Sequence, residues 1–592
     1  MSIASNFPAL KPTLLLDFAN TEELDPRITF TRASTATYYG TQTAKAEENL
    51  LIQSQTFDNS NWAKLRSTVS ADATQAPDGT TTADALTQAT GETSAGRVGQ
   101  AVTSIAASYS FSVFAKPNGK NFITLAETLQ SGSIVQTWFN VSTGAVGTTG
   151  AGHTATITAV ANGFYRCSIT LTATARSGQA YVYLGDTDGS STVTDTGGVY
   201  IWGAQAEQRS AVTAYTVTTT QPITNYIPQL LTAASGVARR DHNPTTFESL
   251  GLEIEEQRTN LLTYSDQFAN AAWTKTDATV AANTIVAPDG TLTGDKLLEN
   301  TAASTHSIVS GITPTASTAY TGTVYIKAAE RQFAFVGLNG GGIVSFASIN
   351  LSTGAVSVAT GTPTVSAASV GNGWYRVSVT ATTASTVFLG FDVRIGTDGV
   401  WANRSYTGNG FSGIYIWGAQ LEAGAFATSY IPTVASQVTR AADAASMTGT
   451  NFSSWYNQAE GTLYQEATPV EITTGTRYNL LATDGTVSNF IGIFKSTSNL
   501  GGIVLTQGTS QGSMFSGTVS TSTAFKSALG YKTNDCAFST NTAIATDTSV
   551  TLPLLNQLQF GISLSGSLNC SIKKIAYYPL RVTNAQLQGL TS

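Results

Sequence analysis

The chain has 592 residues, enough for three or four domains on a prior of roughly 150 residues each. Charged residues make up 11% of it and the net charge is −7, against about 25% charged in ordinary globular proteins; no Lys/Arg cluster is present to displace counterions from phosphates, which argues against a nucleic-acid partner. Three cysteines supply no disulfide framework, and no window approaches 18 apolar residues, so membrane insertion is not expected.

Residues 1–47 contain Leu14-Leu-Leu-Asp-Phe18 and a second stretch from Ile28 to Tyr39. Their alternation and β-branched content predict short strands, too few for a core. Leu14-Leu-Leu is also too short for a signal sequence, so synthesis without a secretion signal is expected. The segment reads as a leader for attachment, with residues 222–258 as its partner, because Leu252-Glu-Ile-Glu alternates again after a turn at Asp241-His-Asn-Pro244.

Between these segments the chain says something it later repeats. Asn49, Trp62 and Lys116 are answered by Asn260, Trp273 and Lys327 at a separation of 211 residues (260 − 49, 273 − 62, 327 − 116). Pro77-Asp-Gly79 is answered by Pro288-Asp-Gly290, and Asn162-Gly-Phe-Tyr-Arg166 by Asn372-Gly-Trp-Tyr-Arg376. Tyr200-Ile-Trp-Gly-Ala-Gln205 returns as Tyr415-Ile-Trp-Gly-Ala-Gln420. A unit this long, with its gaps confined to loops, is a duplicated domain and not a solenoid repeat. The copies span 48–221 and 259–438. Period-two segments such as Tyr109–Ala115, Arg166–Thr172 and Ala180–Leu184, matched by Thr323–Ile326, Arg376–Thr380 and Val387–Phe391, predict antiparallel sandwiches of jelly-roll type.

From residue 439 the vocabulary changes. A separate sandwich over 439–592 is predicted, closing with a strand at Ser571–Pro579 and a short helix, Asn584 to Leu590, N-capped by Thr583. The expected fold class is therefore all-β: two duplicated jelly-roll β-sandwiches plus a C-terminal concanavalin-like β-sandwich.

The Asn-Leu-Leu opening, Trp62 and Trp273, the Ala-Pro-Asp-Gly-Thr turn and the closing Ile-Trp-Gly-Ala-Gln-x-Glu resemble jelly rolls of carbohydrate-binding-module type in bacteriophage structural and tail-fibre proteins. The run from Met447 to Gly461 resembles the opening of the concanavalin-like, laminin-G-like sandwiches that end phage tail proteins. The resemblance implies a virion component that meets host-surface glycan and other virion proteins, works as a homo-oligomer, most simply a trimer, and is located on the phage particle. Capsid decoration and glycan depolymerisation are the alternative roles it leaves open.

His153, His242 and His306 stand in unrelated contexts, and neither a nucleophile elbow nor a phosphate-cradling loop is found; Gly340–Gly342 reads as a turn. Glycoside hydrolysis needs two facing carboxylates. Glu253, Glu255 and Glu256 are the densest acids; Glu253 and Glu255 alternate with Leu252 and Ile254 and read as a solvated strand face, so no enzyme is expected. Asp186, Asp188 and Asp195, with Asp398 in the sister loop, have the oxygen-rich look of a calcium site, although the closing Glu of an EF-hand is missing. No other cofactor is expected.

Sugar recognition needs an aromatic face flanked by amides or carboxylates. Trp62, Trp273, Trp202, Trp417 and Trp374 recur or have aromatic counterparts and are assigned to cores, and Trp455 to packing. Trp401 lies in a polar loop with Asn403, Arg404 and Tyr406; with Trp138, which has no tryptophan counterpart, these are the glycan-binding candidates. A ring folded back onto its own domain is the competing reading of Trp401.

Overall fold

Period-two alternation places every second residue of a strand on one face, and each copy uses this to close two six-stranded antiparallel sheets over one core. In the computed structural model, which describes residues 11–21, 23–470, 476–560 and 569–592, one sheet of copy one runs in the order Ala145–Val146, Val135–Asn140, Phe122–Glu127, Arg176–Gly185, Arg97–Ser104, Ala63–Leu65. Its partner sheet runs Thr154–Ala159, Tyr165–Ala173, Ala107–Asn118, Gly198–Glu207, Ala83–Gln88, Ser67–Thr74. Copy two repeats both orders strand for strand, from Val356–Thr360 to Thr274–Thr276 and from Thr364–Gly371 to Ala278–Ile285. Phe391 belongs to Leu389–Gly396, whereas Val387 and Phe388 precede that strand and are exposed.

The recurring motifs are the clasps of this fold. In Trp-Gly-Ala-Gln the register slips between Trp202 and Gln205, and between the strand neighbours of Trp417 and Gln420. Gly203 and Gly418 sit there at φ +62° and +61°, where a Cβ would strike Phe114 and Tyr325; only glycine makes this bulge without strain. The Gln205 and Gln420 side chains then accept from Thr216 N at 2.7 Å and Ile431 N at 2.6 Å. Asn49 and Asn260 tie the first segment of each copy to its last by donating to two carbonyls each. Trp62, Trp273, Trp202, Trp417 and Trp374 are all buried.

The leader is not a module of its own. Ala36–Asn49 and Ile223–Ala233 do pair as a two-stranded ribbon, but its apolar face, with Tyr39, Ala46, Ile227 and Leu230, packs on Trp374, Trp417 and Tyr430 of copy two. The remaining leader strands join the C-terminal sandwich. Leu14–Asp17 and Ser249–Ile254 pair with Cys570–Tyr578, and Thr29–Thr31 pairs with Ala444–Thr448. Leu14, Leu16, Phe18, Leu252 and Ile254 share one core with Met447, Leu463, Phe538 and Tyr577. Leu14 and Leu16 are 1% and 2% exposed in that core, so the burial of their side chains is satisfied at the far end of the chain. The sandwich at the C-terminus is thus completed by N-terminal strands, and both jelly rolls are insertions in it.

The closing elements follow the sequence: strand Cys570–Tyr578, then helix Asn584–Leu590 with a capping box between Thr583 and Gln586. Cys167, Cys536 and Cys570 are free and buried. No helix among the described residues is long and apolar enough to cross a membrane.

Candidate functional site

Groups consumed by clasps in both copies are unavailable to a ligand, so a site has to be built from residues the copies do not share. The loop after Leu389–Gly396 is one such place. The Trp401 ring is half-buried, lying 4.7 Å from Phe346 and 5.4 Å from Phe335 between ring centroids. The Arg404 and Arg394 guanidiniums approach it to 4.6 and 5.2 Å. The Asn403 amide donates to Asp398 at 2.8 Å, while Asp398 also accepts from Val400 N. Tyr406 donates its hydroxyl to Glu299 at 2.7 Å and its ring lies against His306. These side chains fold the loop onto its own sheet, the second of the two readings of Trp401.

Trp138 is a correction. It is 8% exposed, in strand Val135–Asn140, and its indole N–H donates to Ser190 O at 3.2 Å. The sequence offers only the lack of a tryptophan counterpart; in the register of the two sheets its equivalent is Ser348, which donates in the same way to Gly399 O. Both residues pin a loop across the sheet.

The calcium reading meets a cation the chain already supplies. The Lys120 ammonium, with its side chain 1% exposed, bridges Asp186 and Asp195, the latter at 2.6 Å. Lys120 holds the Asp195 carboxyl below its usual range; at Asp186, burial pushes upward and the lysine and Thr194 more than offset it. Asp188 turns away to accept from Thr148, and Asp398 caps its own loop. Among the described residues no group of three or more His, Cys, Asp or Glu is placed to hold a metal.

Glu253 and Glu255 are not a solvated strand face. They are 6% and 2% exposed, because the face opposite Leu252 and Ile254 is covered by the ribbon and copy two.

An open groove of about 540 Å³ is present in the C-terminal sandwich. One wall is the turn after strand Ala444–Thr448, where Gly449 at φ +57° leads into the short helix Thr450–Ser453. Here the half-buried Tyr456 stacks at 4.4 Å and 28° on Phe452, which is itself buried in the core, as is Trp455 against Tyr577. Trp455 is packing, as its context in the sequence predicts. The opposite rim is polar. Gln458 is braced by Pro553 O and Leu555 N. Asp484 accepts from Thr486 at 2.8 and 2.7 Å and from Asn489 at 2.8 Å; partial burial pushes its carboxyl up, but these donors prevail and hold it below the usual range. Asn556 and Gln557 complete the rim; among the described residues Asp484 is the one carboxylate and no Lys, Arg or His lines the groove. Sequence reasoning missed Asp484 and Asn556–Gln557, which are scattered over more than 70 positions; Tyr456 beside Trp455 was the available signal.

No family model matches the sequence, and no curated protein does. Among solved structures the chain is similar to the tandem CBM22-1–CBM22-2 domains of Paenibacillus barcinonensis Xyn10C, at 13% identity over 64% of this chain and 98% of that one, with a TM-score of 0.20. It is also similar to Trypanosoma rangeli sialidase, at 8% identity, 92% and 98% coverage and TM-score 0.21, and to the LG1-3 region of the laminin alpha2 chain, at 8%, 82% and 96%, and 0.14. These scores are too low to align a site, and the all-β sandwich architecture rests on the strand orders above.

Proposed function

We propose that this chain is a non-enzymatic, glycan-engaging protein, and that the groove walled by the partly exposed Tyr456 ring, which is backed by the buried Phe452, is where it takes neutral sugar. The observation that carries the reading is the pairing of an aromatic wall with an uncharged amide rim and a single oriented carboxylate. A pyranose presents an apolar C–H face and a ring of hydroxyls, and these surfaces suit the two sides of the groove. Its volume falls within the roughly 300–1,000 Å³ usual for ligand sites. Without a lining cation, anionic sugars gain nothing there. Hydrolysis would need a second carboxylate facing Asp484.

The sequence resemblance to phage fibre proteins supports a place on the virion, with the sandwiches turned toward the host surface and several copies acting together. A millimolar site contributes only about −4 kcal/mol, whereas linked copies gain roughly 10²–10⁴ in avidity; a homotrimer fits this need.

Titration of the full chain with neutral oligosaccharides by calorimetry tests the site. Asp484→Asn and Asn556→Ala, both on the rim, are expected to weaken binding about tenfold or more, the range for a lost hydrogen bond to a charged group; the melting temperature should be unchanged in the exposed Asn556→Ala and lowered in Asp484→Asn, whose amide no longer accepts from Asn489. Undiminished binding by both variants would sink the groove as the site. Antibody labelling of phage particles tests the location.

A further inference from the structure

Every passage of the chain between the C-terminal sandwich and the inserted domains runs through one buried cluster of charges. Arg32 lies where the chain leaves for the ribbon, Arg239 where it returns, Glu255 where it departs for copy two, and Arg440 and Asp443 where it comes back. Asp443 accepts from Arg32 at 3.0 Å and from Arg239, and Arg239 meets Glu255 at 2.8 Å. Arg440 stands 3.5 Å from Glu255. Glu255 also accepts from Ser429 N and Oγ at 2.7 and 2.6 Å, which ties in the last turn of copy two. Arg239 reaches Thr37 O, and Asp241 accepts from Tyr39 N at 2.8 Å, which ties in the ribbon.

Three guanidiniums thus face four carboxyls: Glu253, Glu255, Asp241 and Asp443. We propose that this cluster is a pH-gated joint, locking the jelly rolls onto the sandwich while its charges balance and releasing them in alkali.

Glu253 is the group that sets the balance. It accepts from Ser571 Oγ at 2.6 Å. Glu255 just past the end of its own strand, Asp241 from the neighbouring strand and Arg239 just before it, and Cys570 from the last strand surround it; Arg240 and His242 share the neighbouring strand with Asp241. Burial first, then the charges of Glu255 and Asp241, push Glu253 up to about 8. Burial also raises Glu255, but Arg440 and Arg239 outweigh it and bring it down to about 2. At neutral pH a protonated Glu253 leaves three carboxylates for three guanidiniums. The folded-state value of Glu253 lies above its usual one, so its stabilising contribution is complete below about 4.5 and declines as pH rises through about 8. Above that, a fourth negative charge is forced into a site whose three guanidiniums Arg32, Arg239 and Arg440 are already committed to Asp443 and Glu255.

The test uses the full chain in small-angle scattering at pH 7 and 9.5, with circular dichroism to confirm that the sandwiches stay folded. The wild type is expected to expand reversibly at pH 9.5, and Glu253→Gln, which keeps an acceptor for Ser571, to hold its pH 7 dimensions throughout. Equal dimensions of the wild type at both pH values would overturn the joint, and so would an equal expansion of E253Q. Hydrogen exchange on the wild type alone provides a second reading: protection of the Ser429 and Glu255 amides, after correction for intrinsic rates, should fall between pH 8 and 9.5. Retained protection also overturns it.

Discussion

Glu47 of the ribbon accepts from the Lys327 ammonium of copy two at 2.7 Å, across 280 positions of sequence. The same carboxylate accepts from Asn372 at 2.8 Å. Burial pushes Glu47 up, and Lys327 and Asn372 more than reverse this, so it stays ionised below the usual range. In copy one the equivalent Lys116 and Asn162 meet Thr74 and the Ala76 carbonyl instead. One carboxylate therefore distinguishes two otherwise parallel corners.

Glu47→Gln is expected to lower stability by about 1.5–3 kcal/mol, the range for hydrogen bonds to a charged group. Lys116→Met should cost less, about 1 kcal/mol, since it loses two long 3.3 Å hydrogen bonds to Thr74 and the Asn162 carbonyl and its contacts over Phe164 and Tyr200, but no ion pair. Urea denaturation of the two variants, with the order reversed, would refute the difference between the copies.

Lys120→Met leaves Asp186 and Asp195 without their cation. Removing one partner of a fully buried pair costs about 3–5 kcal/mol. Asp195 is 60% exposed, and solvent screening reduces the expected loss to about 2 kcal/mol. The wild-type melting temperature should not respond to calcium or chelator, whereas calcium should partly restore the variant. A calcium-dependent wild type would show that Lys120 does not fill the site.

Asp84 and Asp295 occupy equivalent positions, each accepting two backbone N–H groups at 2.7–3.0 Å. Burial outweighs those bonds and raises both carboxyls to about 6. Their folded-state values exceed the usual one, so the stability they contribute is complete below about pH 4 and lost as pH rises through 6. Carboxyl NMR titration should find both near 6. The Asp84→Asn, Asp295→Asn double variant should show a flatter stability profile than the wild type between pH 4 and 6.

Trp401→Ala is expected to cost about 2 kcal/mol, less than the 3–5 of a fully buried ring, because the half-buried indole holds its loop against Phe335 and Phe346. Sugar binding in the groove should be unaffected. A variant of unchanged melting temperature and lost binding would return the site to the 399–408 loop.

The duplication, the strand-rich class of all three sandwiches, the turns and the final capped helix were legible in the amino-acid sequence; that the recurring Asn and Gln residues act as clasps was not. The former depend on periodicity and on residue types a few positions apart, which local backbone geometry enforces. Alternation at Leu252-Glu-Ile-Glu shows that the acids face away from the leucine. It does not show that another domain covers that face, and so Glu253 and Glu255 become the heart of a buried joint instead of a wet surface. Lys120 stands 66 and 75 positions from its two aspartates, and Leu14 pairs with Tyr577. Such contacts are selected by where apolar area and unpaired charge find cover in three dimensions, which no local sequence pattern encodes.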